Sequence, residues 1–268
     1  MELRMKGKLL VSDIDGTLVT PGMTLPRENI LAIKRFIDAG GLFTLATGRA
    51  HDSVRQFIKP ALVNAPAIVS NGAVIYDYST DEFLYSSVLS SNAFDLIKNI
   101  MGAFPHAGIE VHTPDTLYMI RQSPQSEQHI TDESIAYTFA ALEDIRDKEW
   151  IKILVAAEPR IIDKVVRHCD GLATDEFTFV RTGLIYYEIV SQGQNKGSTL
   201  KRLADMLNID IKDTYAIGDF YNDIELLQTA SVSAVAGSGL EELKKTCDFV
   251  SVDVYDGAVA AFIDYILR

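Results

Sequence analysis

The sequence predicts an α/β protein: a doubly wound, mostly parallel sheet with an inserted α+β domain. Three observations carry that reading. Apolar runs at 9–11, 41–46, 66–70 and 214–217 have the length of strands buried on both faces. Amphipathic stretches separate them, and strand–helix alternation is the grammar of a parallel sheet. The alternation breaks after Asn71-Gly72 and resumes at Lys196. Residues 1–85 and 191–268 therefore read as the core, and residues 86–190 as the insertion.

The first run, Leu9-Leu10-Val11, stops at Ser12-Asp13-Ile14-Asp15-Gly16-Thr17. A helix follows from Pro26 to Ala39, with Thr24 as cap, Pro26 in the first turn and Gly40 as stop. Ile30, Ile33 and Ile37 share one face of it. The second strand, from Gly41 to Ala46, ends at Thr47-Gly48-Arg49, and a short helix spans 54–59. The third strand ends at Ser70-Asn71-Gly72. Residues 73–76 and 82–85 form a hairpin around Ser79-Thr80-Asp81.

Inside the insertion the pattern predicts helix 91–102, strands near 108–112 and 116–121, and a helix near 125–140. A strand at 150–157, a helix at 160–169 and strands at 176–181 and 184–190 complete one sheet with helices on one face. Pro105, Pro114, Pro124 and Pro159 punctuate these pieces. The core then resumes with helix 196–207, strand 214–217, helix 223–228 and strand 231–236. Helix 240–245, strand 249–250 and helix 257–267 close it.

The chain of 268 residues carries a net charge of −12 and a pI near 4.8. That excludes a basic nucleic-acid footprint, so an anionic substrate must be met by local cations. Cys169 and Cys247 are the only cysteines and lack metal-ligand spacing, which reads as a reduced, cytoplasmic setting. The apolar run after Gly7 is too short for a signal peptide or membrane span. His106 and His112 read as solvated histidines of a loop and a strand, and no histidine cluster supports zinc.

Asp13 and Asp15 are two residues apart, so at extended spacing their carboxylates can point the same way. Gly16 then permits a sharp turn. Two convergent carboxylates need a cation between them or a retained proton. On these residues alone, a tight turn and a ligand site are both open. Lys196 opens a helix at its already positive end, which suggests an anion nearby, although a solvated loop lysine reads the same way. Asp219 at a strand tip and Asp223 one helical turn on add two acids at the same sheet edge. A helix cap would explain Asp219 or Asn222 as structure, but not a third and fourth acid at the same sheet edge. The four acids form an oxygen-rich set suited to Mg²⁺.

Asp13-Ile14-Asp15-Gly16-Thr17 resembles the first motif of the haloacid dehalogenase-like (HAD) superfamily. Thr47, Lys196 and Gly218-Asp219-x-x-Asn222-Asp223 stand where its other three motifs belong. The insertion is similar in place and element order to the IIB cap of Cof-type sugar-phosphate phosphatases. Thr47-Gly48-Arg49, Ser70-Asn71-Gly72 and Asp256-Gly257-Ala258-Val259 are similar to further stretches of that family. The resemblance covers essentially the whole chain and implies a Rossmann-like core.

It also implies a chemistry. Hydrolysis of a phosphate ester needs a nucleophile, charge neutralisation and a proton donor. The catalytic candidates are Asp13 as nucleophile, giving an aspartyl-phosphate, Asp15 as acid then base, Thr47 and Lys196. Metal candidates are Asp13 and Asp219 by carboxylate, Asp15 by its carbonyl, and Asp223 through water or Lys196. Substrate-binding candidates are Thr47, Gly48, Arg49, Asn71, Lys196 and Asn222. Arg49, Arg121, Lys152 and Arg181 are available cations. Phe220 and Ala236-Gly237-Ser238-Gly239 depart from the family's usual residues and bear on the pocket's shape.

The expected enzyme is an Mg²⁺-dependent phosphatase of a small phosphorylated metabolite, most of all a sugar phosphate. No nucleic-acid or membrane partner is expected, and the chain should be a monomer or weak homo-oligomer. A phosphomutase of the same fold and a catalytically silent sugar-phosphate sensor are the alternatives. An intact acid set argues against the sensor, because unused buried carboxylates cost stability.

Overall fold

The structure, a computed structural model, describes residues 4–172 and 175–268. Residues 1–3 of the amino-terminal stretch and 173–174 of the insertion lie outside the described residues. The chain divides into two compact units, Met1–Leu84 with Asn195–Arg268, and Tyr85–Gln194.

The chain begins with β1 (Leu9–Ser12), α1 (Arg27–Asp38), β2 (Leu42–Leu45), α2 (His51–Ile58), β3 (Ala67–Val69), β4 (Val74–Asp77) and β5 (Glu82–Ser86), the last two residues of β5 falling in the second unit. The second unit holds α3 (Ala93–Ala103), β6 (Gly108–His112), β7 (Leu117–Arg121), α4 (Pro124–Glu133) and β8 (Tyr137–Phe139). It continues through β9 (Lys152–Ala156), α5 (Pro159–Asp170), β10 (Phe177–Arg181) and β11 (Tyr186–Ser191). The chain then returns to the first unit with α6 (Lys196–Met206), β12 (Thr214–Gly218), α7 (Ile224–Thr229) and β13 (Val232–Val235). The last elements are α8 (Glu241–Lys244), β14 (Phe249–Val250) and α9 (Ala258–Ile266).

The core sheet is parallel, in the order β14-β13-β12-β1-β2. All four residues of β1 are buried, as a strand covered on both faces requires. The chain leaves β1 toward β2 on one side and comes back as β12 on the other. That is a topological switch point, and ligands bind such sheets beyond the carboxyl ends of the strands there. Asp13 N–H donates to the Ile217 carbonyl and Ala46 N–H to the Ser12 carbonyl, both at 2.9 Å. The three strand ends β12, β1 and β2 are thus locked side by side. Beyond them, β3 meets Ala46 through a single parallel bridge at Ile68 and pairs mainly with the β4–β5 hairpin.

The second unit is one six-stranded sheet, β10-β11-β9-β6-β7-β8. Ile97 and Ile100 of α3 and Ile162 and Val165 of α5 join Ile109, Val111, Ile153, Val155 and Ile189 in its apolar core. Three expectations are corrected here. The helix expected over 125–140 ends at Glu133, because Ser134 takes a left-handed conformation with φ 53°. Tyr137–Phe139, rich in strand formers, then pairs with β7. Alternation along β6 sends Glu110 and His112 to the face opposite Ile109 and Val111. His129 of α4 meets Glu110 there at 2.9 Å, so helices occupy both faces. His112 is 3% exposed and therefore not solvated, whereas His106 is exposed.

The cations expected to be available are engaged. Arg121 donates to the carbonyls of Met101, Phe104 and Ala107, capping the end of α3. Lys152 is buried against Glu188 at 3.2 Å, and Arg181 pairs with Asp163 at 2.9 Å. Both cysteines are unpaired. Among the described residues, no helix is long and apolar enough to cross a membrane.

Candidate active site

Asp13 follows the last residue of β1 and is 5% exposed. Its Oδ1 accepts from Lys196 Nζ at 2.6 Å, and the same ammonium donates to Asp223 Oδ1 at 2.7 Å. Lys196 is the first residue of α6, whose start is fixed by a capping box. Asn195 accepts from Ser198 N–H at 2.7 Å, and Ser198 Oγ accepts from Asn195 N–H at 3.2 Å. A fully buried ammonium at a helix start is unfavourable unless anions meet it, and here two do.

Asp223 is buried too, and its second oxygen accepts from the N–H groups of Asp219 and Phe220 at 2.9 and 3.1 Å. These bonds fold the loop after β12 back on itself and aim Asp219 at the end of β1. Thr17 Oγ1 donates to Asp219 Oδ1 at 2.9 Å. Gly16 lets that loop pass: its φ is +82°, and a Cβ there would stand 2.5 Å from Asp219 Oδ2.

Oxygens of Asp13, Asp219 and Asp223 all lie within 4.8 Å of one another. Burial, with Asp223, Asp219 and Asp15 nearby, pushes the Asp13 carboxyl well above its usual range despite Lys196. Burial and the Asp223 charge push Asp219 up to about 7, against the hydrogen bond from Thr17. Burial disfavours the Lys196 charge, but Asp13 and Asp223 outweigh it and hold its pKa above the ordinary value. One lysine thus leaves three crowded carboxylates under-compensated. A hard divalent cation taking a few carboxylates and keeping water fits this donor set.

Asp15 turns elsewhere. Its carboxylate is held by the Arg49 fork, Nε to Oδ2 and Nη2 to Oδ1, each at 2.7 Å. Arg49 is itself buried, donates to Ser53 Oγ at 2.9 Å and lies over the Phe57 ring at 5.5 Å. The arginine read from sequence as a substrate cation is therefore engaged with the candidate acid. Thr47, buried after β2, accepts from Arg49 N–H at 3.2 Å. Asn71 and Asn222 bond each other, Nδ2 of Asn222 to Oδ1 of Asn71 at 3.0 Å.

The structure thus brings Asp13, Lys196, Asp219 and Asp223 into one cluster and pairs Asp15 with Arg49. Sequence reading gave no role to Thr17 or Ser53. Thr17 stood inside the first motif and could have been found there. Ser53 carries no signal beyond lying four residues past Arg49 at helical spacing.

The family model of haloacid dehalogenase-like hydrolases matches residues 10–263. A 5-amino-6-(5-phospho-D-ribitylamino)uracil phosphatase of Bacillus subtilis is 28% identical over 97% of this chain and 98% of its own. A pyridoxal phosphate phosphatase of Escherichia coli is 26% identical, again over 97% and 98%. The solved structure of a HAD subclass IIB sugar phosphatase superposes with a TM-score of 0.85, at 18% identity over 97% of this chain and 98% of that one. The last shows likeness of fold. With its motif residues gathered at the switch point, the chain belongs to the haloacid dehalogenase-like hydrolases and is an enzyme of their phosphatase type.

Proposed function

We propose that the chain hydrolyses small phosphate monoesters, sugar phosphates above all, with Mg²⁺ and through an aspartyl-phosphate on Asp13. The observation that carries this is the buried lysine bridging Asp13 and Asp223, with Asp219 beside them. Lys196 holds Oδ1 of Asp13 and leaves the second oxygen for attack on phosphorus. As the Asp13–phosphorus bond forms, the ester bond to the leaving alcohol breaks, and Asp15 gives that oxygen its proton. Water then attacks the phosphorus, Asp15 takes its proton back, and the acyl-phosphate bond breaks to release phosphate. Arg49 orients Asp15 through its two-point contact, and for Asp15 to carry the proton it donates, one of the two oxygens must leave that fork. The Thr47 hydroxyl receives a phosphate oxygen, and Lys196 offsets the phosphate charge. Mg²⁺ would be held by Asp13 and Asp219, with the Asp15 carbonyl and Asp223 as further members, and would neutralise phosphate charge.

Residues 86–190 are proposed as the type IIB cap, with discrimination among monoesters residing there. The named relatives act on small phosphate monoesters, which supports the substrate class. A panel of phosphorylated metabolites, scored by phosphate release, tests it. Sugar phosphates should rank above an aryl phosphate, and a ranking without sugar phosphates would remove them as the substrate class.

Metal removal gives a second expected result. Chelator should abolish turnover, and Mg²⁺ should restore it. Saturating Mg²⁺ should also raise the melting temperature, since a ligand at 100 times its Kd stabilises the native state by about 2.7 kcal/mol. Undiminished turnover in chelator together with an unmoved melting temperature would refute metal dependence.

A further inference from the structure

Three consecutive residues after β3, Ser70, Asn71 and Gly72, have positive φ: 51°, 53° and 93°. All three are buried, and two are not glycine. Left-handed conformations disfavour residues with a Cβ. Such strain persists only where the surroundings fix it, and it gathers at functional sites.

What fixes this turn is the site's own framework. Ser70 N–H donates to the Arg49 carbonyl and Asn71 N–H to the Thr47 carbonyl, both at 2.9 Å. The Asn71 amide lies against Gly48, where a Cβ would come within 3.0 Å of Nδ2. Its Oδ1 accepts from Asn222, which sits in the loop between Asp219 and Asp223. Gly72 reaches α6: its carbonyl accepts from Thr199 Oγ1 at 2.7 Å. A Cβ at Gly72 would stand 2.4 Å from the carbonyl oxygen of Asn195, the residue before Lys196. One turn therefore touches the Thr47–Arg49 loop, the loop of the metal-ligand candidates and the first turn of the lysine helix.

We propose that Asn71 is a positioning residue. The left-handed turn Ser70–Gly72 sets the spacing of Thr47, Lys196 and the Asp219–Asp223 loop, and the Asn71 amide is its strut to Asn222 rather than a substrate ligand. Asparagine suits the position because it tolerates the left-handed region and still carries an amide. Glycine would keep the backbone and lose the strut. The inference rests on the phosphatase site described above.

That difference supplies the test. In the full chain with Mg²⁺ and p-nitrophenyl phosphate, Asn71→Gly and Asn222→Ala should each lower kcat about 10- to 100-fold, the size expected when reacting groups drift by roughly 1 Å. KM should move by less than about twofold, since the phosphate contacts remain. The Mg²⁺-induced rise in melting temperature should require more Mg²⁺ in both variants. The double variant should be no slower than the slower single, because the two amides act as one unit. Should Asn71→Gly not fold, Asn222→Ala carries the same expectations from the other end of the strut. A raised KM with unchanged kcat would make Asn71 a substrate ligand and overturn the proposal. So would full kcat at a lowered melting temperature, or losses that multiply in the double variant. A wild-type chain that releases phosphate from no monoester would instead sink the phosphatase reading. The Mg²⁺ dependence of the melting temperature would still report on the strut.

Discussion

Replacing Asp13 by asparagine should reduce phosphate release by about four orders of magnitude or more while leaving the chain folded. The side chain keeps its size at the end of β1, and the Asp13 N–H still bonds the Ile217 carbonyl. Lys196 retains Asp223 at 2.7 Å as its counter-charge. Burial and the neighbouring acids already work against the Asp13 charge, so losing it relieves repulsion that offsets the lost contact with Lys196. The melting temperature without metal should stay within a few degrees of wild type, read beside the initial rate of phosphate release. Turnover near wild type in Asp13→Asn would take the nucleophile's role from Asp13.

The second large effect lies in the second unit and concerns stability. Between its sheet and α4, His129 donates toward Glu110 at 2.9 Å and Glu133 at 3.2 Å, with His112 at 3.3 Å from Glu110. All four residues are at most 9% exposed, and Glu110 Oε1 has no hydrogen-bond partner among the described residues. His129→Leu strands two buried carboxylates without their cation, a loss of about 3–5 kcal/mol. Urea unfolding should show it. Adding Glu110→Leu should recover part of it, because the pair of apolar residues no longer buries that charge. A single variant as stable as wild type would mean that the cluster contributes little.

The same cluster predicts a pH dependence. Burial disfavours His129's charge, but Glu133 and Glu110 outweigh it and push its pKa up to about 10 from 6.5. Its contribution is complete below the unfolded value and is lost as pH rises through about 10. Burial disfavours the Glu110 charge, yet His129 and His112 hold its pKa down to about 2 from 4.5. That contribution is present above 4.5 and fades as pH falls toward about 2. The stability gap between wild type and His129→Leu should therefore be widest near pH 5–6. It should narrow as pH climbs from 7 to 10. A gap that widens with pH would reverse the assignment of charges.

The core was legible because its signals are local. An apolar run ending in an acid marks β1, and Gly218-Asp219 marks the tip of β12 in the same way. Lys196 was legible as an oddity, a cation at the positive end of a helix, before its partners were visible. The pairing of Asp15 with Arg49 joins residues 34 apart, and nothing in the spacing announces it. The Glu110–His129 layer was hidden for the same reason. Sequence alternation shows that Glu110 and His112 share a strand face, but not that α4 covers it. The end of α4 at Ser134 was missed because no glycine or proline marks it. The left-handed turn at Ser70–Gly72 was visible only as a string of turn residues; its contacts to two loops and the start of α6 are long-range.

Covalent catalysis by Asp13 is tested most directly by acid-quenching the enzyme within one turnover of a radiolabelled phosphate monoester in Mg²⁺. Peptide mapping then locates the label. Acid-stable, hydroxylamine-sensitive label on the peptide carrying Asp13, absent from Asp13→Asn, is the expected result. Phosphate release at full rate with no protein-bound label, or label on any other residue, would contradict an aspartyl-phosphate at Asp13.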